Sequence, residues 1–319
     1  SAMFAQANHP GRDLPDGLAM SDLNFLNSDS KLFNVTHVMS SAGQVLMSQN
    51  KPCIISERDR SSTVMIADSG GFQIIGGVLK WEGDDTRENI LRWQEDHADW
   101  AMTLDIPTRS VQRPESGYKT FKHCLDTTLE NLDYIQRHRN HDKPVKFLNV
   151  LQGETAQQAN TWFEAVKDYP FEGWAFAGLH RFSFANLCRR IIQMANENLF
   201  DGRGWIHVLG TNRPSMAIAL TALQRAINRH IPAARDLRIS YDTSSPFRMA
   251  MEWRNAYSQA VFDINRAVLQ SARMPDSKNF VGSDKRFPWR SPIGDRITMG
   301  DLCVNTENFA TTRWDDLSF

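Results

Sequence analysis

Six short apolar segments of this 319-residue chain run into residues that can do chemistry. Residues 64–67 lead into Asp68-Ser69-Gly70-Gly71-Phe72-Gln73, 100–104 into Asp105-Ile106-Pro107-Thr108, and 146–151 into Gln152-Gly153. Residues 174–177 lead into Gly178-Leu179, 206–209 into Gly210-Thr211, and 238–241 into Asp242-Thr243-Ser244. Taken singly, each is ordinary turn chemistry, because Asp and Gly commonly follow strands. If the six ends converge, three carboxyl groups and one amide share a pocket. Carboxyls crowded in that way repel, shift one another's proton affinity and suit acid–base work. Gly70-Gly71 lets a backbone approach a flat ligand closely. Phe72 is a candidate stacking platform, although a phenylalanine taken alone is more often a core residue. Gln152 either bonds the edge of a heterocycle or caps a helix.

Convergence depends on the elements between these residues. Strands are predicted at 35–39, 64–67, 100–104, 146–151, 174–177, 206–209 and 238–241, from short apolar and β-branched runs. Helices are predicted at 86–100, 120–138, 155–167, 184–196, 214–230 and 247–271. Asp84-Asp85-Thr86 is a cap signal for the first, and Pro214 suits the first turn of the fifth. Strand–helix alternation at this length implies an α/β fold with parallel strands. A weak eighth strand at 279–282 would close a (β/α)8 barrel, whose strand ends meet on one face. The rival is an open doubly wound sheet, which usually carries a glycine-rich phosphate loop after its first strand. Neither GxGxxG nor GxxxxGK[ST] occurs. The expectation is one barrel domain over 1–319, with 1–3 resembling an expression scar and 275–319 a C-terminal extension.

Composition fits a globular protein, with 41% hydrophobic and 23% charged residues. No apolar run is long enough to span a membrane, and no secretion signal heads the chain. Cys53, Cys124, Cys188 and Cys303 lie far apart, so neither a zinc knuckle nor a redox pair is expected and a reducing cytoplasm is the simplest setting. The net charge is −1, yet 203–296 holds 15 Lys/Arg against 7 Asp/Glu. That imbalance suggests an anionic partner or, equally, basic helix surfaces. His138 and His141 have HxxH spacing at a charged helix end, and no metal is expected there.

The strand-end motifs carry a resemblance. Asp68-Ser69-Gly70-Gly71-Phe72-Gln73 resembles the hallmark of the tRNA-guanine transglycosylase family. Leu104-Asp105-Ile106-Pro107-Thr108, Val150-Leu151-Gln152-Gly153, Phe176-Ala177-Gly178-Leu179, Val208-Leu209-Gly210 and Tyr241-Asp242-Thr243-Ser244-Ser245 follow in the family's order at similar spacing. The resemblance covers about residues 60 to 260 and implies a modified (β/α)8 TIM barrel. It also implies roles. Asp242 would be the nucleophile at the sugar C1′, and Asp68 the general acid/base. Asp105, Gln152 and the backbone of Gly178 and Leu179 would read the edge of guanine or a 7-deazaguanine. Phe72 and Leu209 would sandwich its faces, and Ser69 and Gln73 would support the pocket. A carboxylate that traps an oxocarbenium-like sugar splits one hard step into two, and two displacements retain configuration. Such base exchange needs neither ATP nor a redox cofactor, so none is expected.

The chain departs from the tRNA-acting members, which carry a zinc subdomain built from CxCxxC and a later His. Here that region holds Cys303 alone, with no His after His230, so the four ligands of such a site are missing. In this it resembles the zinc-free phage branch, which exchanges guanine in DNA for a base such as 7-cyano-7-deazaguanine. The expected partners are DNA, with the target guanine flipped out or single-stranded, and the free 7-deazaguanine base. An oligomer is left open, and the setting would be the host cytoplasm for a phage protein. Lys285, Arg286 and Arg290, interleaved with Phe287 and Trp289, would contact phosphates and stack on bases. An exposed basic loop with two aromatic anchors is the plainer alternative. Two other functions stay open: tRNA-guanine exchange, and a non-catalytic nucleic-acid-binding subunit.

Overall fold

A computed structural model describes residues 19–31, 34–46, 54–211, 213–245, 255–263, 265, 268–273, 282–287, 295–296 and 298–300. The chain divides into two compact units. The larger comprises 39–51 and 64–243, the smaller 1–38, 52–63 and 244–319. The expected extension at 275–319 falls in the smaller.

Seven strands form one sheet in strict chain order: β1 His37–Ser41, β2 Val64–Asp68, β3 Trp100–Met102, β4 Lys146–Leu151, β5 Gly173–Phe176, β6 Trp205–Val208 and β7 Arg238–Tyr241. All five pairings from β2 to β7 are parallel. A parallel pairing requires a crossover, and helices supply it. The chain adds α1 Ala42–Leu46 after β1, α2 Gly71–Ile75 and α3 Asp84–His97 after β2, and α4 Phe121–His138 after β3. Then come α5 Ala156–Val166, α6 Gly178–Phe182, α7 Phe184–Asn196 and α8 Pro214–His230. This is an α/β fold. The candidate eighth strand at 279–282 lies almost wholly outside the described residues.

Helix starts follow local chemistry. Thr120 accepts the His123 N–H at 3.1 Å ahead of α4, and Thr155 accepts the Gln158 N–H at 3.2 Å ahead of α5. α3 begins and ends earlier than predicted. Asp84 and Asp85 enter its first turn, where carboxylates suit the helix dipole. Ala98 is extended and delivers Trp100 into β3.

Both faces of the sheet are covered, as parallel sheets require. On β4, Leu148 and Val150 join Ile66, Met102, Ala175, Ala177 and Trp205 in one buried cluster. The alternate residue Asn149 donates its Nδ2–H to the Val166 carbonyl of α5 at 2.6 Å. In a flat sheet β2 and β7 would stand five strand spacings, about 24 Å, apart. Here Asp68 of β2 and Asp242 after β7 line one pocket, so the sheet curls.

One predicted element is corrected. The helix expected at 247–271 is, over its described residues, an antiparallel hairpin of β8 Asn255–Asp263 and β9 Val268–Arg273. Asp263 pairs with Val268 and Asn255 with Arg273, with a register shift between Tyr257 and Phe262. The segment is rich in apolar residues that suit either period, and Asn265 is a turn former. Cross-strand pairing, which no single segment encodes, decides between them. No helix among the described residues is long and apolar enough to cross a membrane.

Candidate active site

The strand ends of the larger unit surround a pocket of about 220 Å³ that holds Asp68, Asp105, Gln152 and Asp242 together. Asp68 closes β2. Burial raises its proton affinity, and the charge of Asp242 adds to that effect. Ser41, the Gly70 N–H and His207 act in the opposite direction without reversing it. Ser41 also donates its hydroxyl to Gln73 Oε1 at 3.3 Å, so Gln73 supports this wall from behind. Ser69 is fully buried, and its hydroxyl has no hydrogen-bond partner among the described residues.

The two glycines serve the protein itself. A Cβ on Gly70, whose φ is +91°, would stand 2.7 Å from the Gly43 backbone. One on Gly71 would stand 2.4 Å from the Asp105 carbonyl oxygen. Their small size lets three backbone segments pack at the pocket floor, where Gly71 also lines the cavity.

Asp105 is held from outside the sheet. Asn131 of α4 donates to the Leu104 carbonyl at 3.1 Å, and Thr128 accepts the Ile106 N–H at 3.0 Å. The residues on both sides of Asp105 are thereby tied to one helix. Its Oδ2 accepts from Gln152 Nε2 at 2.7 Å. Gln152 in turn follows β4, whose Val150 carbonyl takes the Trp162 indole N–H at 2.8 Å. Burial pushes the Asp105 carboxyl up to about 7; the Gln152 bond opposes this and the charge of Asp68 reinforces it. The amide therefore belongs to a buried Asp–Gln pair, and no helix cap is involved.

Asp242 behaves oppositely. Burial alone would raise its proton affinity, but His207, the Gly210 N–H and Arg181 outweigh burial and hold it below the usual carboxylate range. Its Oδ1 accepts from Gly210 at 2.6 Å and faces His207 Nε2 at 3.2 Å. On the far side of the imidazole, Nδ1 lies 2.8 Å from Ser240 Oγ, which accepts the Trp205 indole N–H at 2.7 Å. An ionised Asp242 can only accept, so Nε2 carries the proton that faces it. In the neutral imidazole Nδ1 is then an acceptor for the Ser240 hydroxyl. His207, Ser240 and Trp205 form a hydrogen-bonded chain behind Asp242 that the motif reading missed. The signal was present: 205, 207 and 209 share one strand face by alternation, as do 240 and 242.

Other expected residues fall as follows. Phe72, 44% exposed, lines the pocket, as do Leu209 and Gly178. Leu179 is corrected in part. Its N–H is committed to the Gly153 carbonyl at 2.7 Å, while its carbonyl accepts from Ser183 at 3.2 Å and keeps a second lone pair. Gly178 is needed because a Cβ there would stand 2.3 Å from the same Gly153 oxygen. Arg109, Glu154, Arg181 and Phe182 also line the pocket and were not anticipated. Lys285 and Arg286 are exposed residues of the smaller unit, and Arg290 and Trp289 lie outside the described residues. Phe287 is buried, which corrects its expected role in base stacking. No cluster of potential metal ligands occurs among the described residues.

A scan against protein-family models returns no match to this chain, and a search of curated proteins returns none.

Proposed function

We propose that this chain is a guanine transglycosylase on a modified (β/α)8 barrel, exchanging guanine in DNA for a 7-deazaguanine such as 7-cyano-7-deazaguanine. One observation carries the reading: two carboxyl groups of a single pocket are driven apart in proton affinity, Asp68 upward and Asp242 downward. Such divergence assigns an acid and an ionised partner. The motif resemblance supplies the substrate class.

Asp242 Oδ attacks C1′ as the bond from C1′ to the guanine nitrogen breaks, and an ester to the sugar forms. The Asp68 carboxyl passes its proton to the departing base. The incoming 7-deazaguanine gives its ring N–H proton to the Asp68 carboxylate, bonds to C1′ and expels Asp242. Both displacements invert, so the sugar keeps its configuration. The Asp105–Gln152 pair offers acceptor and donor groups to a purine edge, between Phe72 and Leu209. DNA is favoured over tRNA because Cys303 stands alone where tRNA-acting members carry zinc ligands.

The test is incorporation of 7-cyano-7-deazaguanine into duplex DNA, single-stranded DNA and tRNA, read by mass spectrometry of digested nucleosides. DNA incorporation is expected, with none by Asp242→Ala. Incorporation into tRNA alone would reverse the choice of nucleic acid. A reconstituted complex fully active with Asp242→Ala would make this chain an accessory subunit.

A further inference from the structure

At the pocket rim two cations are forced together. The guanidinium carbons of Arg109 and Arg181 lie 5.3 and 4.4 Å from the centre of one ring, Phe182. Phe182 is 58% exposed, so a large aromatic face is left in water as a platform for two like charges. Two carboxylates are near: Glu154 Oε1 lies 3.7 Å from Arg109 Nε, and Arg181 is within the field of Asp242 and Glu154. Arg181 Nε is buried without a hydrogen-bond partner among the described residues. Burial and the Arg109 charge both disfavour the Arg181 cation. An exposed and a half-buried guanidinium, with ten N–H donors between them and the Arg181 Nε unpaired, leave donors in excess of the acceptors around them.

Their position shows what would satisfy them. A Cβ added to Gly210 would meet Arg181 Nη1 at 3.1 Å, so this guanidinium lies across Gly210. The Gly210 N–H is itself bonded to Asp242. Arg181 therefore stands one residue away from the carboxylate that meets C1′, where a nucleotide carries its phosphodiester, and Arg109 shares its ring. Planar forks match phosphate oxygens in pairs.

We propose that Arg109 and Arg181, mounted on Phe182, form a phosphate subsite holding the backbone phosphodiester of the nucleotide presented to Asp242. The assignment of nucleotide to Asp242 rests on the transglycosylase reading; the phosphate claim is tested by binding alone.

Measure binding of a short guanine-containing single-stranded oligonucleotide over a salt series, for wild type, Arg109→Gln, Arg181→Gln and the double variant. Each phosphate contact contributes roughly 0.7 to the slope of log K against log salt for single strands. The double variant should flatten the slope by about that amount and weaken low-salt binding about tenfold or more, while binding of the free 7-deazaguanine base stays unchanged. Arg109 is partly exposed, so its single variant tests the idea even if the double variant fails to fold. An unchanged slope in a folded variant would overturn the subsite. So would equal loss of free-base binding, or competition by inorganic phosphate that is as strong against the double variant as against wild type. Failure of the transglycosylase reading is separate: wild type would exchange no base, yet its salt slope would still depend on both arginines.

Discussion

Replacing Asp105 by Asn should make the protein more stable at pH 8 and a poorer catalyst. Asp105 is 6% exposed, and burial moves its carboxyl from an ordinary 3.8 to about 7. The folded state thus keeps a proton that the unfolded chain releases near pH 4. The folded-state affinity is the higher one, so the contribution of Asp105 to stability is fully present below about pH 4 and is lost as pH rises through 7. Each tenfold change in acidity is worth about 1.4 kcal/mol, which sets a ceiling of about 4 kcal/mol for the whole interval. Asn cannot ionise, and its Oδ1 can still accept from Gln152. Asp105→Asn should therefore recover between about 1 and 4 kcal/mol at pH 8 and almost nothing at pH 3.5. Urea melts at both pH values measure this directly. A variant no more stable than wild type at pH 8, or one with the same gain at both pH values, would refute the claim that a buried ionisable carboxyl burdens this pocket. Base exchange by the variant should fall, because the ionised acceptor offered to the purine edge is gone.

Other expectations concern the same walls. Ser240→Ala removes the hydroxyl bonded to His207 Nδ1 and loosens the ring that faces Asp242; losing much of a hydrogen bond to a charged group costs about 1.5–3 kcal/mol, or roughly ten- to a hundredfold in rate. Because His207 helps hold Asp242 low, the acid limb of kcat/KM should also move to higher pH, and an unmoved limb would exclude the relay. Gly71→Ala places a Cβ 2.4 Å from the Asp105 carbonyl oxygen, so urea melts should show a loss of about 1–3 kcal/mol together with reduced exchange. Thr120→Ala should cost about 1 kcal/mol through its lost cap and leave exchange by the folded enzyme unchanged.

Local chemistry already wrote much of this molecule into its chain. The limits of β4, β7, α7 and α8 follow from apolar period, from the Ser183 cap and from Pro214 at a first turn, because these signals act over a few neighbouring residues. Asp68, Asp105, Gln152 and Asp242 were legible as a set because each follows a strand and parallel strands end on one side. Residues 247–271 were not legible, since helix and hairpin place similar apolar residues and only pairing between distant backbone segments separates them. Nor could spacing show that Gly70 and Gly71 serve the Gly43 and Asp105 backbones, or that Leu179 spends its N–H on Gly153. The opposite proton affinities of Asp68 and Asp242 belong wholly to the folded state. Both are aspartates at strand ends. What parts them is which neighbours the curled sheet brings within hydrogen-bond reach, and a Coulomb interaction depends on distance through space, not on separation along the chain.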